Sequence, residues 1–158
     1  MSELVLRAAR PEHAEALNQL ILRSKAHWGY DAEMLNIMAR VLQLDPDAMT
    51  AGRAMAGWRG EAPLGVAQIS EPLNDERGRV MDLDLLFIGP EAIGTGLGRI
   101  LYEWALVQAR TADCERLVIL SDPNAAAFYI AMGAVLVEER ASKLVPGRML
   151  PVLEHWLG

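Results

Sequence analysis

MDLDLLFIGPEAIGTGLGRILYEWALVQAR, residues 81–110, decides the fold. A strand-like run, Val80 to Ile88, leads into a tight loop with three alternating glycines, Gly94, Gly96 and Gly98. A helical pattern then opens without a break, with Leu97, Ile100, Leu101 and Trp104 as its apolar stripe. Strand, glycine loop and helix N-terminus together make a construction for holding a phosphate. The first helical N–H groups have no intrahelical acceptors, and the helix dipole places partial positive charge there. Glycines let the backbone bend and remove the Cβ atoms that would hold an anion away.

Two common phosphate loops fail letter by letter. Gly89 and Gly94 have Walker A spacing, but Thr95 stands where that loop needs lysine. A dinucleotide fingerprint beginning at Gly94 needs a glycine at 99, and Arg99 is there.

Working outward, 158 residues predict a single domain, 1–158, long enough to bury a core. A net charge of −6 and the lack of any basic run argue against a nucleic-acid partner. An acidic rim would suit a cationic amine. Cys114 is the only cysteine, which excludes disulfide frameworks and cysteine-based zinc sites and fits a reducing cytoplasm. Met1-Ser2-Glu3 lacks the basic start of a signal peptide, and no apolar run approaches membrane-spanning length. Three scattered histidines give no metal-ligand spacing, so no metal is expected.

Leu4–Ala8 reads as a first strand. Pro11 starts a helix in which Leu17, Leu20, Ile21 and Ser24 recur to about residue 24. Gly29 ends that helix, and Asp31 caps a second one with Met34, Leu35, Met38, Val41 and Leu42 on its apolar face. Between them His27, Trp28 and Tyr30 share one short loop, a favoured place for binding residues. Packing of Trp28 under the loop is the other reading of the same residues. Ala51–Trp58 and Leu64–Ile69 read as strands around a turn at 59–63, and 74–78 turns the chain into the central strand. Leu117–Leu120 is a short apolar strand with the pattern of burial on both faces. Asp122 and Pro123 start a helix over Asn124–Met132 that Gly133 stops, and strands follow at 134–138 and 149–153. The expected fold is mixed α/β: a mostly antiparallel central sheet flanked by about four helices.

Ile93-Gly94-Thr95-Gly96-Leu97-Gly98 resembles the acyl-CoA loop of the GNAT superfamily of N-acyltransferases. Gly96 and Gly98 match its last two fixed positions; Ile93 departs from the Gln or Arg at the first. A second segment, Asn124-Ala-Ala-Ala-Phe128-Tyr129-Ile-Ala-Met-Gly133-Ala134, is similar to that superfamily's N-x-x-A-x-x-F-Y-x-x-x-G-F, with Ala134 in place of Phe. The SKAHWGYD run at 24–31 and the PGRMLP run at 146–151 look like segments of a subgroup of small bacterial members.

The resemblance implies a GNAT acyl-CoA N-acyltransferase fold with acetyl-CoA as co-substrate. It implies that the backbones of Leu86, Phe87 and Ile88 pair with the pantetheine arm, where strands equivalent to 80–88 and 117–120 splay apart in the family. One of these amides would face the thioester oxygen. Ile93, Gly94, Thr95, Gly96, Leu97, Gly98 and Arg99 would hold the pyrophosphate, with Arg99 either in contact or solvated. Asn124 would bond the pantetheine or pair locally, and Phe128 would lie against the cofactor or in the core with Met132. Tyr129 is the expected general acid, protonating the thiolate that leaves. The nucleophile is an amine, which attacks only when unprotonated. Asp84, which alternates with Asp82 and Leu86 on one strand face, is the expected base, with His27 as the alternative and water or an ion pair with Arg77 or Arg79 also open. His27, Trp28 and Tyr30 would line the acceptor pocket, and His13 and His155 would lie at the surface. No covalent enzyme intermediate is expected, because Cys114 has no evident partner base.

The expected function is therefore transfer of an acetyl group from acetyl-CoA to a primary amine of a small molecule or peptide. A non-catalytic acyl-CoA-binding module and a generic phosphate-binding domain are the alternatives. Trp104, Trp156 and the apolar C-terminal strand offer surface for a homodimer.

Overall fold

The computed structural model describes residues 3–158, so the reading of Met1 and Ser2 lies outside the described residues. The chain order is β1 (Leu4–Ala8), a 3-10 turn (Pro11–His13), α1 (Ala14–His27), α2 (Ala32–Val41), α3 (Pro46–Thr50), β2 (Ala54–Arg59), β3 (Ala62–Ile69), β4 (Leu73–Asp75) and β5 (Gly78–Ile88). A second 3-10 turn (Pro90–Ala92), α4 (Leu97–Thr111), β6 (Arg116–Leu120), α5 (Ala126–Ala131), β7 (Val135–Ala141) and β8 (Met149–Trp156) complete it. The sheet is mostly antiparallel: β1–β2, β2–β3, β4–β5, β6–β8 and β7–β8 pair antiparallel, and β5–β6 pairs parallel.

The chain forms two compact units, one of residues 1–69 and 85–104, the other of 70–84 and 105–158. In the first, side chains alternate along the end of β5 into two clusters. Leu85 and Phe87 join Leu17, Leu20, Ile21, Ala54, Ala56, Trp58 and Val66; Leu86 and Ile88 pack on Leu64, Ala67, Leu97 and Leu101. Burial of these apolar side chains holds the sheet between helices, at about 25 cal/mol per Å² removed from water.

The second cluster contains a notch. Gly57 and Gly65 face each other across β2 and β3. A Cβ on Gly57 would lie 2.6 Å from Leu97 Cδ1, and one on Gly65 would lie 2.8 Å from Leu97 Cδ2 and 2.9 Å from Ile88 Cδ1. The paired glycines thus receive Leu97, the first residue of α4, and seat the helix start against the sheet.

The second unit buries Val80, Met81, Leu83, Leu117, Ile119, Val152 and Leu153, with Ile119 opposite Leu153. The fully buried Arg116 pairs with Asp75 and lies 3.7 Å from Glu154, itself paired with Arg77. The Arg116 guanidinium sits 5.4 Å from the Trp156 ring centroid. At the end of α4, Asp113 takes φ +59° while Cys114 N donates to Ala109 O and Asp113 N to Arg110 O. That is the left-handed helix stop that satisfies the last carbonyls.

The structure departs from the sequence reading at several places. The first helix begins with a 3-10 turn and runs on to His27, so His27 is helical and not in a loop. α3 and β4 are additional elements, and Ala51–Arg53 precede β2, with Gly52 at φ +78°. The 59–63 turn tightens to Gly60–Glu61, because Arg59 pairs with Ala62. The Asp122-Pro123 signal makes a turn, not a helix start: Asp122 Oδ1 accepts from Asn124 N and Asp122 O from Ala125 N, delaying α5 to Ala126. Ile100 is 38% exposed and Leu120 49% exposed, whereas Tyr102 is fully buried in place of Ile100. His13 is half-buried, 5.0 Å from the Trp58 ring, and His155 is half-buried under Gly133.

Candidate functional site

In the first unit, Gly89 N donates to Leu64 O at 2.8 Å and fixes the exit of β5. The 3-10 turn brings Ala92 O inward, where it accepts from Thr95 N at 3.2 Å and Thr95 Oγ1 at 2.6 Å. Thr95 Oγ1 in turn accepts from Leu97 N at 3.4 Å. Gly94 and Gly96 hold φ of +82° and +88°, the left-handed region, and a Cβ on either would meet no protein atom within 4 Å. Gly98 needs no such freedom; it lies in the first turn of α4.

Ile100 N donates to Gly96 O, so α4 starts at that glycine, and the N–H groups of Gly98 and Arg99 precede the first intrahelical donor. Ile93 and Arg99 are exposed. The loop is therefore an open, left-handed backbone cradle at the positive end of a helix of 15 residues. Its shape and donor set fit a pyrophosphate held by main-chain amides.

Leu86, Phe87 and Ile88 are half-buried at the end of β5. The parallel ladder of β5 with β6 spans Val80–Leu83 against Arg116–Ile119. Next to Phe87 the first unit holds a feature that the sequence reading passed over. Lys25 is 7% exposed, and its Nζ lies 5.3 Å from the Phe87 ring centroid and 5.3 Å from that of Tyr30. Its signal was present: Lys25 stands four residues after the buried Ile21, on the core-facing stripe of α1. Ending that helix at residue 24 hid it.

His27 closes α1, and Trp28 follows as its C-cap, 51% exposed, with the two rings edge-on at 5.4 Å. Tyr30 is half-buried. Gly29, at φ +86°, turns the chain, and Asp31 Oδ1 accepts from Met34 N at 2.8 Å to start α2.

In the second unit, Tyr129 is 6% exposed on α5, its ring edge-on to Phe128 at 5.2 Å. Phe128 is half-buried, and Asn124 is exposed in the preceding turn. Asp82 is half-buried, and that burial raises its carboxyl pKa against the pull of Arg140. Asp84, two residues on, is exposed. Arg77 pairs with Glu154, and Arg79 Nε donates to Ala112 O at 2.8 Å. Burial pushes the Cys114 thiol up, away from nucleophile chemistry. Tyr102, buried on α4, has its phenol held far above the usual range by desolvation. Among the described residues no group of three His, Cys, Asp or Glu is placed to hold a metal, and no helix is long and apolar enough to cross a membrane.

The family model described as the acetyltransferase (GNAT) family matches residues 14–134. No curated protein matches the sequence. Among solved structures, a GCN5-related N-acetyltransferase from Rhodopseudomonas palustris is 21% identical, with 99% of this chain and 98% of that one covered at a TM-score of 0.76. The PaiA N-acetyltransferase from Thermoplasma acidophilum, solved in complex with coenzyme A, is 13% identical, with 98% and 99% covered at 0.77. A GNAT family acetyltransferase from Brucella melitensis, solved in complex with acetyl-CoA, is 19% identical, with 100% and 90% covered at 0.64. At these identities the likeness is one of fold.

Proposed function

We propose that this chain, which belongs to the acetyltransferase (GNAT) family, moves an acetyl group from acetyl-CoA directly to a primary amine. The observation that carries the reading is the 93–99 loop: left-handed glycines at 94 and 96 run into the open N-terminus of α4. The loop and the first-turn amides of α4 bind the pyrophosphate, with Arg99 as a charge-assisted contact. The backbones of Leu86, Phe87 and Ile88 pair with the pantetheine arm; the β5–β6 ladder ending at Leu83 supports this. Asn124 and Phe128 complete the cofactor contacts.

Acetyl-CoA supplies an activated thioester. The chain supplies position, a hydrogen-bond donor from the β5 backbone for the developing oxyanion, and proton transfer. Tyr129 donates its phenolic proton to the leaving thiolate. Asp84 takes the proton of the acceptor ammonium directly or through water, and its exposure lets it exchange that proton with solvent. His27 is the alternative base. The exposed Trp28 and half-buried Tyr30 receive the acceptor, a small-molecule or peptide amine. We read residues 1–158 as one acetyltransferase domain acting in the cytoplasm; a match of the family model that runs through parts of both units supports the single domain.

The test is release of CoA thiol from acetyl-CoA across a panel of amino acids, polyamines and peptides with free N-termini. Turnover that requires one of these amines supports the reading. The second reading, an acyl-CoA-binding module without turnover, is favoured by the exposed Ile93 at the Gln or Arg position of the family loop. Saturable acetyl-CoA binding with no thiol release across the panel would select it.

A further inference from the structure

The reading above leaves the buried Lys25 without a role. An ammonium taken out of water is costly unless something replaces its hydration. Here Lys25 is 7% exposed, and its Nζ stands 5.3 Å from two ring centroids, Tyr30 and Phe87. Both lie inside the reach over which a cation is drawn to an aromatic face. The three residues come from three pieces of chain. Lys25 is in the last turn of α1, where its charge also suits the helix C-terminus. Tyr30 follows the left-handed Gly29, and Phe87 is on β5 among the buried Leu85 and the half-buried Leu86 and Ile88.

Without Lys25, the 27–30 segment has little to fix it. Trp28 is 51% exposed, and Gly29 is exposed with nothing near its Cβ direction. Phe87, by contrast, is anchored by packing on the cluster of Leu17, Leu20 and Ile21. The cation therefore joins a weakly packed segment to a firmly packed strand.

We propose that Lys25 is the positioning residue of the acceptor side: its ammonium, shared by Tyr30 and Phe87, fixes Tyr30 and the 27–30 turn against the strand that holds the pantetheine arm. The proposal rests on the function given above for these two segments. Lys25 does not itself touch the reacting atoms; it acts through the two rings. A methionine of similar length keeps the packing and loses the charge, whereas an arginine keeps the cation over the rings.

The experiment is amide hydrogen exchange on the full chain for wild type, Lys25→Met and Lys25→Arg, with acetyl-CoA binding measured by calorimetry on the same samples. The expected result in Lys25→Met is exchange about five- to tenfold faster at residues 28–31, the scale of one desolvated cation–π contact. The 54–69 hairpin should be unchanged, acetyl-CoA affinity should stay within about twofold, and Lys25→Arg should restore wild-type exchange. Unchanged exchange at 28–31 in Lys25→Met overturns the proposal. So does equal acceleration in the 54–69 hairpin, or failure of arginine to rescue, since either marks general loss of packing. Failure of wild type to bind acetyl-CoA would strike the functional reading instead, and leaves the exchange result to decide the aromatic clamp.

Discussion

Tyr129 and Tyr102 show how one residue type takes two roles by placement. Tyr102 is fully buried in α4, and desolvation keeps its phenol neutral and out of proton transfer. Tyr129 sits in the segment that resembles the family's N-x-x-A-x-x-F-Y pattern, on a short helix after a turn. If it protonates the thiolate, Tyr129→Phe should lower kcat by about 10²- to 10⁴-fold, the usual worth of general acid catalysis, while acetyl-CoA affinity changes little. Steady-state kinetics with calorimetry checks this; a kcat within a few-fold of wild type would leave Tyr129 a packing residue. At this scale the sequence was legible where chemistry demands an unusual residue. Gly94 and Gly96 could be read because left-handed backbone excludes other side chains. Lys25 could not, because a lysine reads as solvated and only the rings beside it make burial tolerable.

Among elements, the start of α4 is set by a notch and not by helix propensity. Leu97 enters the space left by Gly57 and Gly65, so the glycine loop inherits its position from two residues about 30–40 places earlier in the chain. Gly65→Ala would press on the ends of Leu97, Ile88 and Leu101, all held in the second cluster. We expect a loss of about 1–3 kcal/mol, the cost of overpacking a filled core, together with weaker acetyl-CoA binding. Denaturant unfolding and calorimetry measure the two effects; an unchanged midpoint and affinity would mean that Leu97 moves aside freely. The elements also mark the limit of local signals. Asp45-Pro46 and Asp122-Pro123 are the same dipeptide, and in both the carboxylate accepts a main-chain N–H two residues on. After Asp45 the helix starts at once, because Ala48 and Met49 turn into the core. After Asp122, Pro123 and Asn124 are exposed, and a separate turn precedes α5. The dipeptide sets the turn; burial further on decides whether a helix follows.

For the molecule as a whole, charge is concentrated in the buried pairings of Arg116, Asp75, Glu154 and Arg77. The Arg116 guanidinium holds the Asp75 carboxyl below its ordinary value of 3.8. A depressed folded value stabilises fully above the unfolded one and loses that contribution as pH falls through the folded one. Asp82 has the opposite sign: burial raises its carboxyl, so its contribution improves as pH falls through the raised value. Thermal melts should therefore fall with pH below about 3.8 in wild type and less steeply in Asp75→Asn. Asp82→Asn should stabilise above that range, and parallel profiles for all three proteins would contradict the assignment. The alternation of helices and strands, the central β5 and the mixed sheet were legible because their hydrophobic periods are strong. β4 and α3 were not, being three and five residues long. The central claim is that residues 93–99 cradle the pyrophosphate of acetyl-CoA, and one measurement tests it most directly: calorimetric titration of wild type and Gly96→Trp with acetyl-CoA and desulfo-CoA. The account predicts saturable binding of both compounds by wild type and its loss in the variant, whose tryptophan is strained at φ +88° and fills the open side of the loop. Wild type that binds neither compound, or a variant that binds as wild type does, would contradict it.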